Sequence, residues 1–398
     1  MQQTSDESRF RGERPAIAVC LSGGALGHEP WDAGTWSGIS LALLTKLESR
    51  VELKAVFGLQ LGRLNYGWRA VRAWHPQREV WRRKLYRSIA YRSQLNKTLV
   101  RHSSTLPAVD AVLQFGAYAD GPSLFGDTPV LTYQDGSAAA YLDSPYLLSA
   151  LADDDRANSE VLEFEANIAR GAARVLTTSR WLANRFEQDY KVIPDRCINV
   201  GCGMHHTVYP SIGDERYQKA KVLFIGREFE RKGGHCLLTA FSTVRKTLPD
   251  AELHVVGPEP PRRFADLAGV IWHGFLSTSV IDDEARLAEL MGSCSLFVLP
   301  SRYEPFGIAP LEAMANGMPA IVTGRWALAE NIRPEIDGLH VSVDDEQMLA
   351  SAMLSLLSDP ERLKQMGEAA RISSAVHTWD LVADRIVSQI YDVVAEHR

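Results

Sequence analysis

Short apolar runs alternate with longer stretches of helical period along nearly the whole chain. In the first half the apolar runs are "AIAVCL" (16–21), "VELKAV" (51–56), "AVLQF" (111–115), "PVLTYQ" (129–134), "ARVLTTS" (173–179) and "CINVG" (197–201). Helices are expected between them over 36–49, 157–171 and 180–190. Runs this short suit strands buried on both faces, and a three-to-four spacing suits helices with one apolar stripe. A turn-rich stretch, "GCGMHHTVYPSIGDE" (201–215), then interrupts the series and reads as a linker. A second series follows: "KVLFIG" (221–226), a helix over 233–247, "AELHVVG" (251–257), "GVIWHG" (269–274), a helix over 282–292, "SLFVLP" (295–300), a helix over 309–316 and "PAIVT" (319–323). Such alternation builds a parallel sheet covered by helices, so each half is expected to be a Rossmann-like α/β domain. The expected division is 1–208 and 209–377, with the amphipathic segment at about 378–398 docking back on the first domain. Two such domains are expected to face a cleft between the carboxyl ends of their sheets, where α/β proteins bind ligands.

Bulk properties narrow the class without naming it. A chain of 398 residues is long for one core and suits two domains. Hydrophobic content of 45% and charged content of 23% are those of a folded protein rather than a disordered one. A formal net charge of −6 gives no reason to expect nucleic acid. Cys20, Cys197, Cys202, Cys236 and Cys294 are dispersed, with no metal-ligand spacing, and suit reduced thiols better than a disulfide framework. The opening residues, "MQQTSDESRFRGERP", hold no signal-peptide core, and no apolar run reaches the roughly 18–20 residues of a membrane span. The expected location is the cytoplasm.

Two loops carry the chemistry. "GREFERKGG" (226–234) follows a strand and opens a helix, which places Arg227 and Lys232 at the carboxyl edge of the second sheet. Cations beside a helix N-terminus suit a diphosphate, although the same residues in isolation also suit a solvated turn. "SRYEPFGIAPLEAMANGMP" (301–319) repeats the arrangement: strand, loop, and a helix starting near Ile308 with Pro310 in its first turn. The amides of Phe306, Gly307 and Ile308 would then meet an anion. Glu304 and Glu312, with seven residues between them, flank that helix start. Carboxylates accept paired hydrogen bonds from vicinal hydroxyls, so both positions suit sugar rings on either side of a diphosphate.

"EPFGIAPLE" resembles the E-x7-E motif of retaining GT-B glycosyltransferases of family four, and "GREFERKGG" resembles their G-R-x-x-x-x-K-G phosphate loop, in the same order. "ARVLTTSRWLANRF" and "WSGISLALLTKLE" are similar to first-domain segments of that family. The resemblance implies a nucleotide-diphosphate sugar held mainly by the second domain and no cofactor beyond that co-substrate. It implies that Arg227, Lys232 and the amides of Phe306, Gly307 and Ile308 meet the diphosphate. It also implies that Glu312 binds the ribose, Glu304 the donor sugar, and the backbone near Phe275 the base. Gly38 would let a first-domain helix start approach the phosphates. Many family members carry a catalytic His after a first-domain strand; here that strand end reads "LTYQDGSAA", so Gln134 or Asp135 stands there. Asp135 suits orienting a sugar hydroxyl or receiving the acceptor's proton, and equally suits capping the following turn. His28, His102, His205 and His206 are unassigned.

Negative charge left on the diphosphate would be met by Arg227, Lys232 and helix N-termini, and this arrangement requires no metal. With no carboxylate placed as a nucleophile, retention would follow from same-face attack by an acceptor hydroxyl. The acceptor itself, whether glycan, lipid or small molecule, is unspecified. Residues 63–101 hold eleven Arg or Lys and one acid, interleaved with Trp68, Trp74, Trp81, Tyr86 and Tyr91. That composition suits peripheral contact with an anionic membrane, or a surface helix whose aromatics pack inward. The acidic clusters at 153–155, 282–283 and 344–345 read as solvated faces. Competing readings are a non-catalytic nucleotide-sugar-binding protein and an epimerase- or phosphorylase-like enzyme. A dinucleotide or lipase loop in "SGGALG" fails on spacing.

Overall fold

In a computed structural model the described residues are 14–22, 38–76, 81, 84–86, 88–148, 155–205, 213–259, 262–264, 266–277 and 280–398. They build two six-stranded sheets, each the core of its own unit. The chain passes from the first unit to the second after Gly203; the boundary expected at 208/209 lies outside the described residues. The first unit also takes Trp379–Arg398, and the second takes a short piece beginning at Asp143.

The first unit runs β1 (Ala16–Ser22), α1 (Ile39–Leu47), β2 (Glu52–Leu59), α2 (Arg63–Arg72), α3 (Ile89–Ser103), β3 (Ala111–Phe115), α4 (Gly121–Phe125), β4 (Val130–Gln134) and α5 (Ala138–Leu142). After the short α6 (Pro145–Leu148), which lies in the piece taken by the second unit, come α7 (Asp155–Gly171), β5 (Arg174–Thr177), α8 (Arg180–Tyr190) and β6 (Cys197–Asn199). Its strands pair in parallel in the order β2-β1-β3-β4-β5-β6. Inner strands β3 and β4 are buried at every position, whereas edge strand β2 alternates over its first half. This is why the inner strands read as continuous apolar runs.

The second unit runs β7 (Lys221–Ile225), α9 (Gly234–Thr247), β8 (Glu252–Val256), β9 (Val270–Gly274), α10 (Ile281–Ser293), β10 (Leu296–Leu299), α11 (Ile308–Ala315), β11 (Ala320–Thr323), α12 (Leu328–Asn331), β12 (Gly338–Val341), α13 (Glu346–Leu357) and α14 (Pro360–Ser374). The parallel order is β12-β11-β10-β7-β8-β9. Strand β12 and helices α13 and α14 are additions to the expected pattern. Asp345 caps α13 by accepting from the Met348 amide at 2.8 Å, and Asp359 caps α14 by accepting from that of Arg362 at 3.0 Å. The acidic pair at 344–345 is therefore more than a solvated face: Asp345 starts a helix, and Asp344 pairs with Arg302 at 3.0 Å.

Helix α15 (Trp379–His397) returns to the first unit. Its buried stripe includes Val382, Ala383, Ile386, Val387 and Ile390. Asp380 and Asp384 pair with Arg50, and Asp380 also with Lys46, both at the end of α1. A Cβ on Gly203 would lie 2.5 Å from the Trp379 ring, so the crossing segment must be bare where the helix lands.

On the outer strands of the second sheet, His254 and His273 stack with ring centroids 5.3 Å apart and Nδ1 to Nε2 at 3.1 Å. Burial, then His254 and Arg286, pull His273 down from 6.5 to about 4. The unfolded chain therefore takes up this proton first, and stability is lost as pH falls through that window. Replacing His273 with Asn is expected to flatten the fall in Tm between pH 6.5 and about 4 and to leave Tm above the window unchanged, as thermal melts across pH will report.

Candidate functional site

The order of the second sheet places two loops side by side. From β7 the chain lays β8 and β9 outward on one side, then returns to place β10, β11 and β12 on the other. The loops leaving β7 and β10 therefore flank a topological switch point, where open α/β sheets have room for a ligand at their carboxyl ends. These are the loops holding "GREFERKGG" and "SRYEPFG". They are stitched together: the Arg302 amide donates to the Arg231 carbonyl at 2.8 Å, and Arg231 Nη1 donates to the Tyr303 carbonyl at 2.6 Å.

Each loop ends in a glycine that starts a helix. Gly233 (φ 76°) precedes α9 and Gly307 (φ 89°) precedes α11, both left-handed and neither able to offer a capping side chain. Helices α3 and α8, in contrast, begin at Ser88 and Ser179, whose hydroxyls accept from first-turn amides. A Cβ on Gly233 would stand 1.9 Å from the Pro300 carbonyl oxygen, so only glycine lets the two loops approach this closely. The uncapped starts leave first-turn amides and the positive end of each helix dipole for an anion.

Charge is concentrated in the same place. Glu304 is buried and its Oε2 meets Lys232 Nζ in a close ion pair, with Ser301 Oγ at 3.4 Å and Arg231 Nη1 at 3.7 Å. Arg231 is anchored in turn by Glu228, whose Oε2 lies 2.5 Å from its Nε. Burial pulls Lys232 below the usual lysine range, only partly offset by Glu304. Burial acts against Arg231 too, but Glu304 and Glu228 outweigh it and raise its pKa. Arg227 stands exposed at the strand end. Glu312, also buried, accepts from the His205 amide at 3.1 Å, and Phe306 is buried with its carbonyl accepting from Asn331 at 3.3 Å. Phe275, just past β9, is 59% exposed. The second unit thus brings together Arg227, Lys232, Glu304, Phe306, Gly307, Ile308 and Glu312 on two adjacent loops and the helices they open. Arg231 is an addition that motif spacing does not reveal. Its position beside Lys232 in "ERKGG" was the available signal.

The remaining predicted residues lie in the first unit. Gly38 starts α1 in the left-handed conformation (φ 84°), again with no side-chain cap. Gln134 ends β4, is 2% exposed, and its Nε2 has no partner among the described residues. Asp135 follows it, half-buried. At the start of α5, Ser137 Oγ accepts from the Ala140 amide at 3.1 Å, and Glu165 Oε2 accepts from the Ala138 amide at 2.9 Å. Glu165 is itself held by the Tyr190 hydroxyl at 3.1 Å and by buried Arg92 at 3.7 Å. Of the unassigned histidines, His102 stacks on Phe57, while His28 and His206 lie outside the described residues.

Replacing Gly233 with Ala is expected to destabilise the protein by about 2 kcal/mol or more, since it combines a left-handed backbone with a backbone clash. Urea unfolding will measure the loss.

Residues 210–373 match the family described as glycosyl transferases group 1. A glycogen synthase of Mycobacterium tuberculosis (strain CDC 1551 / Oshkosh) is 30% identical over 181 residues, 43% of this chain and 42% of that protein. The chain spans about half the length of the curated relatives it matches. Among solved structures, sucrose-phosphate synthase from Thermosynechococcus elongatus superposes with a TM-score of 0.69 at 19% identity, covering 96% of this chain and 100% of that one. The Anabaena protein HepE in complex with UDP and glucose gives 0.64 at 16% identity, covering 95% and 100%. Those two likenesses carry the fold alone, which is the two-sheet GT-B architecture. The matched stretch lies in the second unit and holds both loops and both glycine-started helices, so the likeness to glycosyl transferases group 1 falls on the candidate site itself.

Proposed function

We propose that this chain transfers a sugar from a nucleotide-diphosphate sugar to an acceptor hydroxyl, with retention of anomeric configuration and without a metal ion. The observation that carries this reading is the pair of uncapped helix starts at Gly233 and Gly307, set at one switch point with Lys232, Arg227 and two buried carboxylates. The site of the Anabaena neighbour, which holds UDP and glucose on the same fold, supports a donor of this kind. In this reading Arg227, Lys232 and the amides of Phe306, Gly307 and Ile308 meet the diphosphate. Glu312 takes the ribose hydroxyls, Glu304 the sugar, and the backbone near Phe275 the base. From the first unit, Gly38 supplies a further helix start, and Asp135 or Gln134 orients a hydroxyl.

The bond from the anomeric carbon to the phosphate oxygen breaks, and its electron pair stays on the diphosphate. The acceptor oxygen forms the new bond from the same face, and its proton passes to a leaving phosphate oxygen. Protein cations and amides in a water-poor site stabilise the developing charge. The glycogen synthase and sucrose-phosphate synthase relatives bear names with different products, so the acceptor stays a hydroxyl of open class.

UDP-, GDP- and ADP-sugars are expected to raise Tm, at least one of them by several degrees at saturating concentration. Glu304→Ala is expected to abolish donor hydrolysis, and Arg227→Ala to weaken donor binding about tenfold or more. Binding without any turnover in the wild type would favour the non-catalytic reading. No shift with any donor, together with an Arg227→Ala protein indistinguishable from wild type, would end the donor assignment.

A peripheral membrane contact belongs to the same proposal. On α2 and just past it, Trp68, Val71 and Trp74 are 66%, 70% and 71% exposed, three residues apart, beside Arg69 and Arg72. Exposed aromatic and aliphatic side chains interleaved with arginines suit an anionic lipid surface. No helix among the described residues is long and apolar enough to cross a membrane. Co-sedimentation with vesicles rich in phosphatidylglycerol is expected at low salt, with loss on Trp68→Ser/Trp74→Ser; absence of co-sedimentation rejects this contact.

A further inference from the structure

One carboxylate in the second unit has two cations. Glu304 Oε2 meets Lys232 in a close ion pair and lies 3.7 Å from Arg231 Nη1. The two cations differ in how they are held. Arg231 is clamped at two further points: its Nε lies 2.5 Å from Glu228, and its Nη1 donates to the Tyr303 carbonyl at 2.6 Å. Its own carbonyl accepts from Arg302, so backbone and side chain both tie it to the second loop. For Lys232, Glu304 is the sole ion-pair partner among the described residues. It sits on a flexible four-carbon stem immediately before Gly233, beside the uncapped start of α9.

A lysine cannot neutralise Glu304 and serve a diphosphate to the same extent. If Lys232 turned to an incoming phosphate with no other cation near, Glu304 would be left as an uncompensated buried charge, which costs several kcal/mol. Arg231 removes that difficulty. Its fork is already in place, and its clamps keep it from following Lys232 to the ligand.

We propose that Arg231 is a positioning residue that serves as the standing counter-ion of Glu304, leaving Lys232 as an exchangeable cation that moves from Glu304 to the donor's diphosphate. This rests on the donor reading above and assigns a division of labour within that site. Glu304 then keeps a cation partner and stays aimed at the sugar in both the empty and the loaded protein. Arg231 bears on recognition of the sugar and not of the diphosphate.

The experiment compares two ligands on each protein by calorimetry: UDP, GDP or ADP alone, and the corresponding diphosphate-glucose. Arg231→Gln is expected to hold the bare nucleoside diphosphate within about twofold of wild type while the sugar conjugate weakens about tenfold, because only the conjugate reaches Glu304. Lys232→Ala is expected to weaken both ligands. Equal loss of both ligands in Arg231→Gln would make Arg231 a phosphate ligand or a general support of the loop and overturn the proposal, as would no loss of either. Glu228→Gln, which keeps Arg231 but releases its Nε, is expected to show the same selective loss in smaller measure. Should Arg231→Gln lack a cooperative melt, an unchanged ligand ratio in Glu228→Gln overturns the proposal. A wild type that binds neither ligand class would instead overturn the donor reading, and this assignment with it.

Discussion

The second unit depends on a buried ion pair that two loops could not make unless they touched. Glu304 and Lys232 come from segments 72 residues apart in sequence, and their contact is possible only because β7 and β10 are adjacent in the sheet. Glycine at 233 lets the first loop press against the Pro300 carbonyl, and Arg231 reaches across to the backbone of Tyr303. Removing one member of a buried pair strands the other, so the loops are coupled electrostatically as well as by packing. A site held this way is organised before any ligand arrives, which limits the ordering cost of binding.

The fold was legible because inner strands of a parallel sheet are buried on both faces and so are rich in apolar residues. "AVLQF" coincides with β3, and "PVLTYQ" overruns β4 by one residue. Legibility failed where an element is short. β12 is only four residues long, whereas α13 does carry a helical stripe, Leu349, Ala350, Met353, Leu356 and Leu357, behind its Asp345 cap. At the candidate site the spacing of Glu304, Glu312, Arg227 and Lys232 was readable, since motif residues lie on two continuous segments. Arg231 was not, because its importance lies in contacts to Tyr303 and Glu304 on the other loop. Nor could the sequence choose between Asp135 as a helix cap and as a site residue. Ser137 and Glu165, the latter brought in from α7, both accept from amides at the start of α5.

The two units use a shared device with different emphasis. Each opens a helix from a left-handed glycine with no capping side chain: Gly38 in the first, Gly233 and Gly307 in the second. In the second unit, buried charge surrounds those starts. In the first, the carboxyl ends of the strands carry neutral polar groups: Gln134 and Thr178 each keep a buried atom without a protein partner among the described residues.

The return of α15 to the first unit has a consequence for how the protein is made. Strand β1 is among the first described segments to leave the ribosome, yet the helix that packs beside α1 is among the last. The main stretch of the second unit, Met204 to Thr378, is made before α15, while the first unit still exposes the ground where Ile386 and Ile390 will sit. During synthesis that apolar surface must wait until residues 204–378 have been made. The first unit is therefore the half most exposed to chaperones and to premature association.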